Sequence, residues 1–223
     1  MATINNSEPK LPIILPNDIV TIVARKNSGK THLIKALIHQ AFKKKQYKWV
    51  IVISPTAFNG EYAKIIGKNN VFSSFDPESI DAMLNHQESL IKKNKGSQGV
   101  IIMDDCLGTV DFNHRVFSKL FSTNRHFKVG VWCTTQKFKA LPTIIRGNAD
   151  KVILLNSVSD TLAKSLHEEY SSDKFESWRH LQKYCHCCTQ NYGAVCIDIG
   201  QTGSYTHVRA PSVLPKFDVK MKR

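Results

Sequence analysis

Gly29, Lys30 and Thr31 stand together after a short apolar run, and about seventy residues later Asp104 and Asp105 close another. A lysine, a hydroxyl and paired carboxylates are what phosphate ester chemistry uses: a cation for the phosphate charge, oxygen ligands for a divalent metal, and an acid to polarise water. The residues around the lysine sharpen this. Ile19 to Leu33 reads IVTIVARKNSGKTHL, a β-prone run, a basic loop containing glycine, then a helical pattern. Phosphates are held where backbone N–H groups converge at a helix N-terminus with a cation in reach. Ala24, Arg25, Lys26, Asn27, Ser28, Gly29, Lys30, Thr31 and His32 are therefore expected to form a nucleotide-binding loop. Lys30 is placed for the β- and γ-phosphates and Thr31 for Mg²⁺. Ala24 occupies the position where the pattern G-x-x-x-x-G-K-[ST] has its first glycine, which weakens the match by one methyl group.

These residues need a rigid mount, and the sequence supplies one. Val20, Ile22 and Val23 give a strand before the loop, and Leu33, Ile34, Leu37 and Ile38 give the apolar face of a helix after it. Gly99 to Asp105, GVIIMDD, is a buried-strand pattern ending in acids, the form of a Walker B strand. Acids at the carboxyl end of a parallel strand lie in the crevice where α/β sheets bind ligands. Asp104 is expected to serve Mg²⁺ and Asp105 the attacking water. Val129 to Thr135 reads as a third strand, ending in Gln136, where a sensor of the γ-phosphate would sit. Arg125 and His126 precede that strand and Arg146 follows it; either arginine suits a finger that disperses charge on the transferring phosphoryl group.

The rest reads as scaffold. Lys48 to Ser54 is a buried strand stopped by Pro55, and Asp76-Pro77-Glu78 starts a helix with Ile80, Met83, Leu84 and Ile91 on one face. Phe112, Val116, Leu120 and Phe121 suggest a helix between the acids and the third strand. Asp160 to Tyr170 and Asp173 to Tyr184 look helical, and Tyr192 to Ile199 looks like a closing strand. Strands alternating with helices predict an α/β fold, a mainly parallel sheet with helices on both faces.

The ordered set ARKNSGKT, VIIMDD, NRH before a strand, TTQ at its end, LPTIIRGNAD and KVILL resembles the HerA/FtsK superfamily of DNA-pumping ATPases. More narrowly it is similar to the short genome-packaging ATPases of poxviruses, other large DNA viruses and virophages. The specific motifs cover Ile19 to Leu155. The resemblance implies a P-loop NTPase core of the ASCE/RecA-like type, with ATP and Mg²⁺ as cofactors. It also implies double-stranded DNA as substrate, a homo-oligomeric ring, docking to capsid or portal/vertex proteins, and a place in the host cytoplasm (viral factory) or virion. It gives Gln136 the γ-phosphate and favours Arg125 as a finger acting in trans, with Arg146 second. Many relatives have glutamate where this chain has Asp105, whose shorter side chain needs the water closer.

Charge agrees with a polyanionic partner. The chain has 223 residues, room for one ATPase core, with 31 Lys plus Arg against 18 Asp plus Glu, net +13. Part of the excess is clustered at Lys43, Lys44, Lys45 and Lys48, at Lys92, Lys93 and Lys95, and in the tail at Lys216, Lys220, Lys222 and Arg223. The expected organisation is an extension over 1–17, an ATPase domain over 18–210 and a basic tail over 211–223. MATINNSEPK is polar and LPIILP too short for a signal or membrane segment. Six cysteines without a signal peptide read as free thiols, with Cys185-His186-Cys187-Cys188 an ordinary loop unless His180, Cys196 or His207 completes a zinc site. Two other readings stay open: a P-loop ATPase or regulator that is not a motor, and a nucleic-acid-binding protein with a degenerate nucleotide site. ATP turnover separates the second from the rest.

Overall fold

The computed structural model describes residues 10–106, 110–155, 158–171, 173–200 and 203–214. The lysine-rich end from Lys216 to Arg223 and the first nine residues lie outside them. Eight strands form one sheet in the order β3-β2-β4-β5-β1-β6-β7-β8. β1 (Ile19–Ala24) is central, paired in parallel with β5 (Val129–Thr135) and β6 (Lys151–Leu155). β4 (Gly99–Met103) pairs in parallel with β5 and β2 (Trp49–Ile53), and the short β3 (Val71–Phe72) ends that side. The parallel part therefore carries the carboxyl ends of β1, β4 and β5 on one edge, which is what gathers the loop, the acids and Gln136.

β7 (Gly193–Asp198) and β8 (Ser204–Arg209) add an antiparallel hairpin beyond β6. The expectation over Tyr192 to Ile199 meets β7, but β8 is a strand that the pattern did not announce. Its residues alternate exposed and half-buried with only Val208 buried. An edge strand with so little apolar signal is hard to tell from a loop.

Helices cover both faces, each by an apolar stripe. α1 (Lys30–Lys43) buries Leu33, Ile34, Leu37 and Ile38 against Val20, Ile22, Val50 and Trp132 on one face of the sheet. The small α2 (Ala63–Ile66) adds Ile66 to the same cluster. On the other face α3 (Pro77–Lys92), α4 (Val116–Ser122), α5 (Thr143–Gly147), α6 (Asp160–Leu166) and α7 (Trp178–Cys188) contribute Leu84, Phe117, Phe121, Ile145, Leu166 and Leu181. Phe112 precedes α4 and packs its ring at a tilt against Phe117 rather than starting the helix. Removing Phe117 or Trp132 to alanine costs about 3–5 kcal/mol in such a core.

The cysteine cluster corrects the expected loop. Ser177 caps α7 by accepting from the His180 N–H, and the helix runs through Cys188. The 3.6-residue period then turns Cys185 and Cys188 inward beside Leu181 and Tyr184, leaving Cys187 exposed. Burial pushes the thiols of Cys185 and Cys196 up to about 12, so they stay protonated and behave as small apolar side chains. Likewise the helix expected over Asp160 to Tyr170 ends at Leu166 and continues as a wider turn through Ser171.

Candidate functional site

β1 delivers the chain into a loop whose backbone is set by Asn27 at φ 61° and Gly29 at φ 87°. Left-handed residues need no Cβ or a short polar side chain, and these two meet that requirement. Ala24 is still strand, buried, paired with Leu155, and outside the positive-φ set. A side chain is therefore accommodated there, and the missing first glycine leaves the loop intact. The Ser28 hydroxyl donates to the Arg25 carbonyl at 2.7 Å, closing the turn from inside. Arg25, Lys26 and Asn27 are exposed at its tip.

Gly29 caps α1, whose first turn holds no acidic residue, and the helix starts at Lys30. The free N–H groups and the positive end of the helix dipole thus meet at the loop. Lys30 lies 3.3 Å from Asp104 Oδ1 and is ion-paired to Asp105 Oδ2, so the loop, the helix start and the end of β4 converge on one ammonium group. Asp104 is buried, whereas the Asp105 side chain is 39% exposed. Asp105 itself has φ 55°, a strained backbone that costs about 1–3 kcal/mol and is held by its surroundings.

Those surroundings include residues that motif reading overlooked. Thr134, from β5, donates its hydroxyl to Asp104 Oδ1 at 2.9 Å and accepts the Asp105 N–H at 2.9 Å. Tyr62, from the turn before α2, donates to Asp104 Oδ2 at 2.7 Å while itself buried. Burial lifts the Tyr62 phenol well above its ordinary range, Asp104 adding to the rise and a hydrogen bond with Thr31 opposing it. Thr31 and Asp104 therefore share one small polar space through Tyr62. Thr134 sat in the TTQ string; Tyr62 had no signal, because its role depends on a loop folding back from β2.

Gln136 is exposed just past β5 and lines a cavity of about 260 Å³ with Ala24, Arg25 and Lys137. His32 is turned elsewhere, its Nε2 lying 2.6 Å from the Pro211 carbonyl. The two arginines are not beside Lys30. Arg125 precedes β5 at the opposite edge of the sheet, 70% exposed and 2.8 Å from Asp150 Oδ1. Arg146, in α5, donates to the Leu141 carbonyl at 3.1 Å, pairs with Glu169 and lies over the Phe138 ring. The seven residues of β5 separate Arg125 from the carboxyl edge, on which a finger expected to act in trans does not depend.

Among the described residues no group of three or more His, Cys, Asp and Glu side chains is set to hold a metal, and no helix is long and apolar enough to cross a membrane.

Comparison with known proteins fits this geometry. The genome packaging NTPase B204 of Sulfolobus turreted icosahedral virus 2, solved with AMPPCP, superposes with a TM-score of 0.66 at 20% identity, over 88% of this chain and 99% of that one. The DNA-packaging ATPase B204 of Sulfolobus turreted icosahedral virus gives 0.64 at 19% identity, over 89% and 100%. The pCW3 conjugation coupling protein TcpA, with ATPγS, gives 0.56 at 10% identity, over 89% of this chain and 61% of that one. These likenesses fix the fold as that of P-loop NTPases. Among curated proteins no sequence matches the chain. The model of the poxvirus A32 protein family matches residues 16–174, from the turn before β1 to just past the wide turn that follows α6, and the chain belongs to that family.

Proposed function

We propose that this chain is an ATP hydrolase whose turnover drives double-stranded DNA into a viral capsid. The observation that carries the reading is Lys30, poised between Asp104 and Asp105 at the mouth of a loop built for phosphates. In this state the ammonium is neutralised by acids. A triphosphate entering the loop competes for it, freeing the exposed Asp105 carboxylate to face water near the γ-phosphate. Thr31 and Asp104 are the residues that would hold Mg²⁺, whose chemistry is to neutralise charge on the β- and γ-phosphates. Their common link to Tyr62 supports that pairing. Gln136, on the neighbouring strand, is the group to sense the γ-phosphate.

The place of Arg125 supports action on a neighbour. A finger that serves another subunit has no need to sit by its own loop; in a head-to-tail ring it belongs on a surface that faces the next one. Arg125 is exposed and, among the described residues, is paired with Asp150 at the far edge of the sheet. Arg146, held by Leu141, Glu169 and the Phe138 ring, is less free to move. DNA is favoured by the net charge of +13, with capsid or vertex proteins as docking partners and the viral factory or virion as the setting. The domain proposed for all this is 18–210, with the basic tail beyond it.

The deciding experiment measures ATP hydrolysis against protein concentration, with and without double-stranded DNA. A rate that climbs with assembly and with DNA is expected. Hydrolysis indifferent to both points to a P-loop ATPase that is not a motor, and no hydrolysis to a binding protein. Mixing Arg125→Ala with Lys30→Ala subunits should recover activity that neither has alone; failure in confirmed mixed rings removes the trans role.

A further inference from the structure

The Asp104 carboxylate is held from three directions. Thr134 on β5 donates to its Oδ1 at 2.9 Å, Lys30 lies 3.3 Å from the same oxygen, and the Tyr62 phenol donates to Oδ2 at 2.7 Å. A triphosphate in the loop competes for one of these contacts. Lys30 is the cation that phosphates draw to themselves, so its hold on Oδ1 loosens as the loop fills. Tyr62 and Thr134 are neutral and stand outside the loop, and their hold on the carboxylate does not depend on the phosphates.

Tyr62 is itself fixed in place. The residue is 4% exposed and belongs to the core cluster of Ile34, Leu37 and Val52. Its carbonyl accepts the N–H groups of Ile65 at 2.8 Å and Ile66 at 3.0 Å, which starts α2. Glu61, just before it, is ion-paired to Lys35, one helical turn beyond Thr31 on α1. Tyr62 also hydrogen-bonds Thr31. The segment meets Asp104 where it begins as well, since the Ile53 carbonyl at the end of β2 accepts the Asp104 N–H at 2.8 Å. Residues 53–62 are thus joined to Asp104 at both ends and to α1 beside Thr31. A hydroxyl mounted so firmly does not follow a carboxylate that turns; it decides where the carboxylate stays.

We propose that Tyr62 is a positioning residue for the metal: its hydroxyl fixes the Asp104 carboxylate with Oδ1 toward the phosphate loop, the orientation in which Asp104 serves Mg²⁺. The inference rests on the reading of Thr31 and Asp104 as the Mg²⁺ residues. Two protein oxygens suit that ion, which keeps several waters and takes further ligands from substrate phosphates. Removing a partner that orients a metal ligand lowers metal affinity about 10- to 100-fold. With Thr134 still bound to Oδ1, the loss of the Tyr62 hydroxyl belongs near the lower figure.

Tyr62→Phe keeps the ring and removes the hydroxyl. The test titrates a fluorescent, non-hydrolysable ATP analogue in saturating Mg²⁺ and in EDTA. By linkage, the ratio of the two affinities is the factor by which the protein tightens the hold of nucleotide on metal. Tyr62→Phe should lower that ratio about tenfold, with binding in EDTA as in the parent, which also shows that the variant is folded. In an Asp104→Asn background the same substitution should lower it no further, because the hydroxyl acts through that carboxylate. An unchanged ratio in Tyr62→Phe, an equal loss in EDTA, or a full further fall in the Asp104→Asn background would overturn the assignment. If Asp104→Asn alone keeps the parental ratio, the reading of Asp104 as a metal residue falls, and this inference with it.

Discussion

Two lysines of this protein each sit between two aspartates, at opposite ends of the same sheet, and they do opposite things. Lys30 meets Asp104 and Asp105 at the carboxyl edge. Lys151 meets Asp198 at 2.7 Å and Asp18 at 3.7 Å at the amino edge. Residue types are therefore no guide to role. What differs is the backbone around them. Lys151 is a strand residue, 3% exposed, with its N–H and C=O in the ladder and its partners anchored on neighbouring strands. Lys30 is the first residue of a helix, under a left-handed glycine, facing an aspartate that is itself left-handed. A charge cluster locked in regular structure is a clamp; the same cluster on strained turns beside free helix N–H groups can exchange partners.

The sharpest break in that comparison is at Asp105. If its exposed carboxylate polarises the attacking water, Asp105→Asn should lower kcat about a thousandfold while ATP still binds. Single-turnover hydrolysis checks the first and nucleotide titration the second. Hydrolysis at the parental rate would return Asp105 to the status of a mere partner for Lys30.

At the other end the loss should appear in stability. Lys151→Met leaves Asp18 and Asp198 facing each other half-desolvated, and should cost about 3 kcal/mol in urea unfolding with nucleotide affinity kept. There is a pH arm as well. Burial works against the Lys151 ammonium, but its bond to Asp198 and the charge of Asp18 carry its affinity for a proton above the ordinary lysine value of 10.5. Its contribution is thus complete below pH 10.5 and is lost as pH rises through the folded value. The parent should lose more stability above that pH than Lys151→Met.

Lys30→Ala should do the reverse of Lys151→Met. ATP affinity falls about a hundredfold, since the phosphates lose their placed cation, and the unfolding midpoint stays near the parent's because Asp105 is open to water. An equal loss of stability in both variants would erase the distinction between clamp and site.

How much of this could be read beforehand follows the same division. The carboxyl edge was legible: loop, acids and Gln136 are contiguous strings on strands whose apolar runs give their positions within a residue or two, and β5 and β6 begin and end where expected. The amino edge was not. Asp18, the adjacent pair Asp150-Lys151, and Asp198 are far apart in the sequence, and strand order and register bring the three positions together. Arg125 stands before β5, where the resemblance implies a finger acting in trans, and the seven residues of β5 set it at the amino edge. Tyr62 has no pattern because it is delivered by a loop. The cysteine cluster reads as a loop in the sequence because the apolar period of its helix is carried by Cys185 and Cys188, thiols that are ligand types as well as core residues.

The smallest expected effect tests whether Arg125 belongs to the clamp at all. It shares Asp150 with the backbone: Oδ1 takes the guanidinium and Oδ2 accepts the Ile19 N–H at 2.8 Å, the first donor of β1. With the guanidinium 70% exposed, its pair with Asp150 is screened and worth less than about 1 kcal/mol. Asp150→Ala should cost more, because it also leaves the Ile19 N–H without its acceptor near the centre of the sheet. In urea unfolding of the isolated chain Arg125→Ala should therefore fall within about 1 kcal/mol of the parent, and Arg125→Ala combined with Asp150→Ala should be no less stable than Asp150→Ala alone. That outcome leaves the guanidinium free to serve a neighbouring subunit at little expense to its own fold. A loss as large as that of Lys151→Met would place Arg125 in the clamp, with no freedom to reach elsewhere.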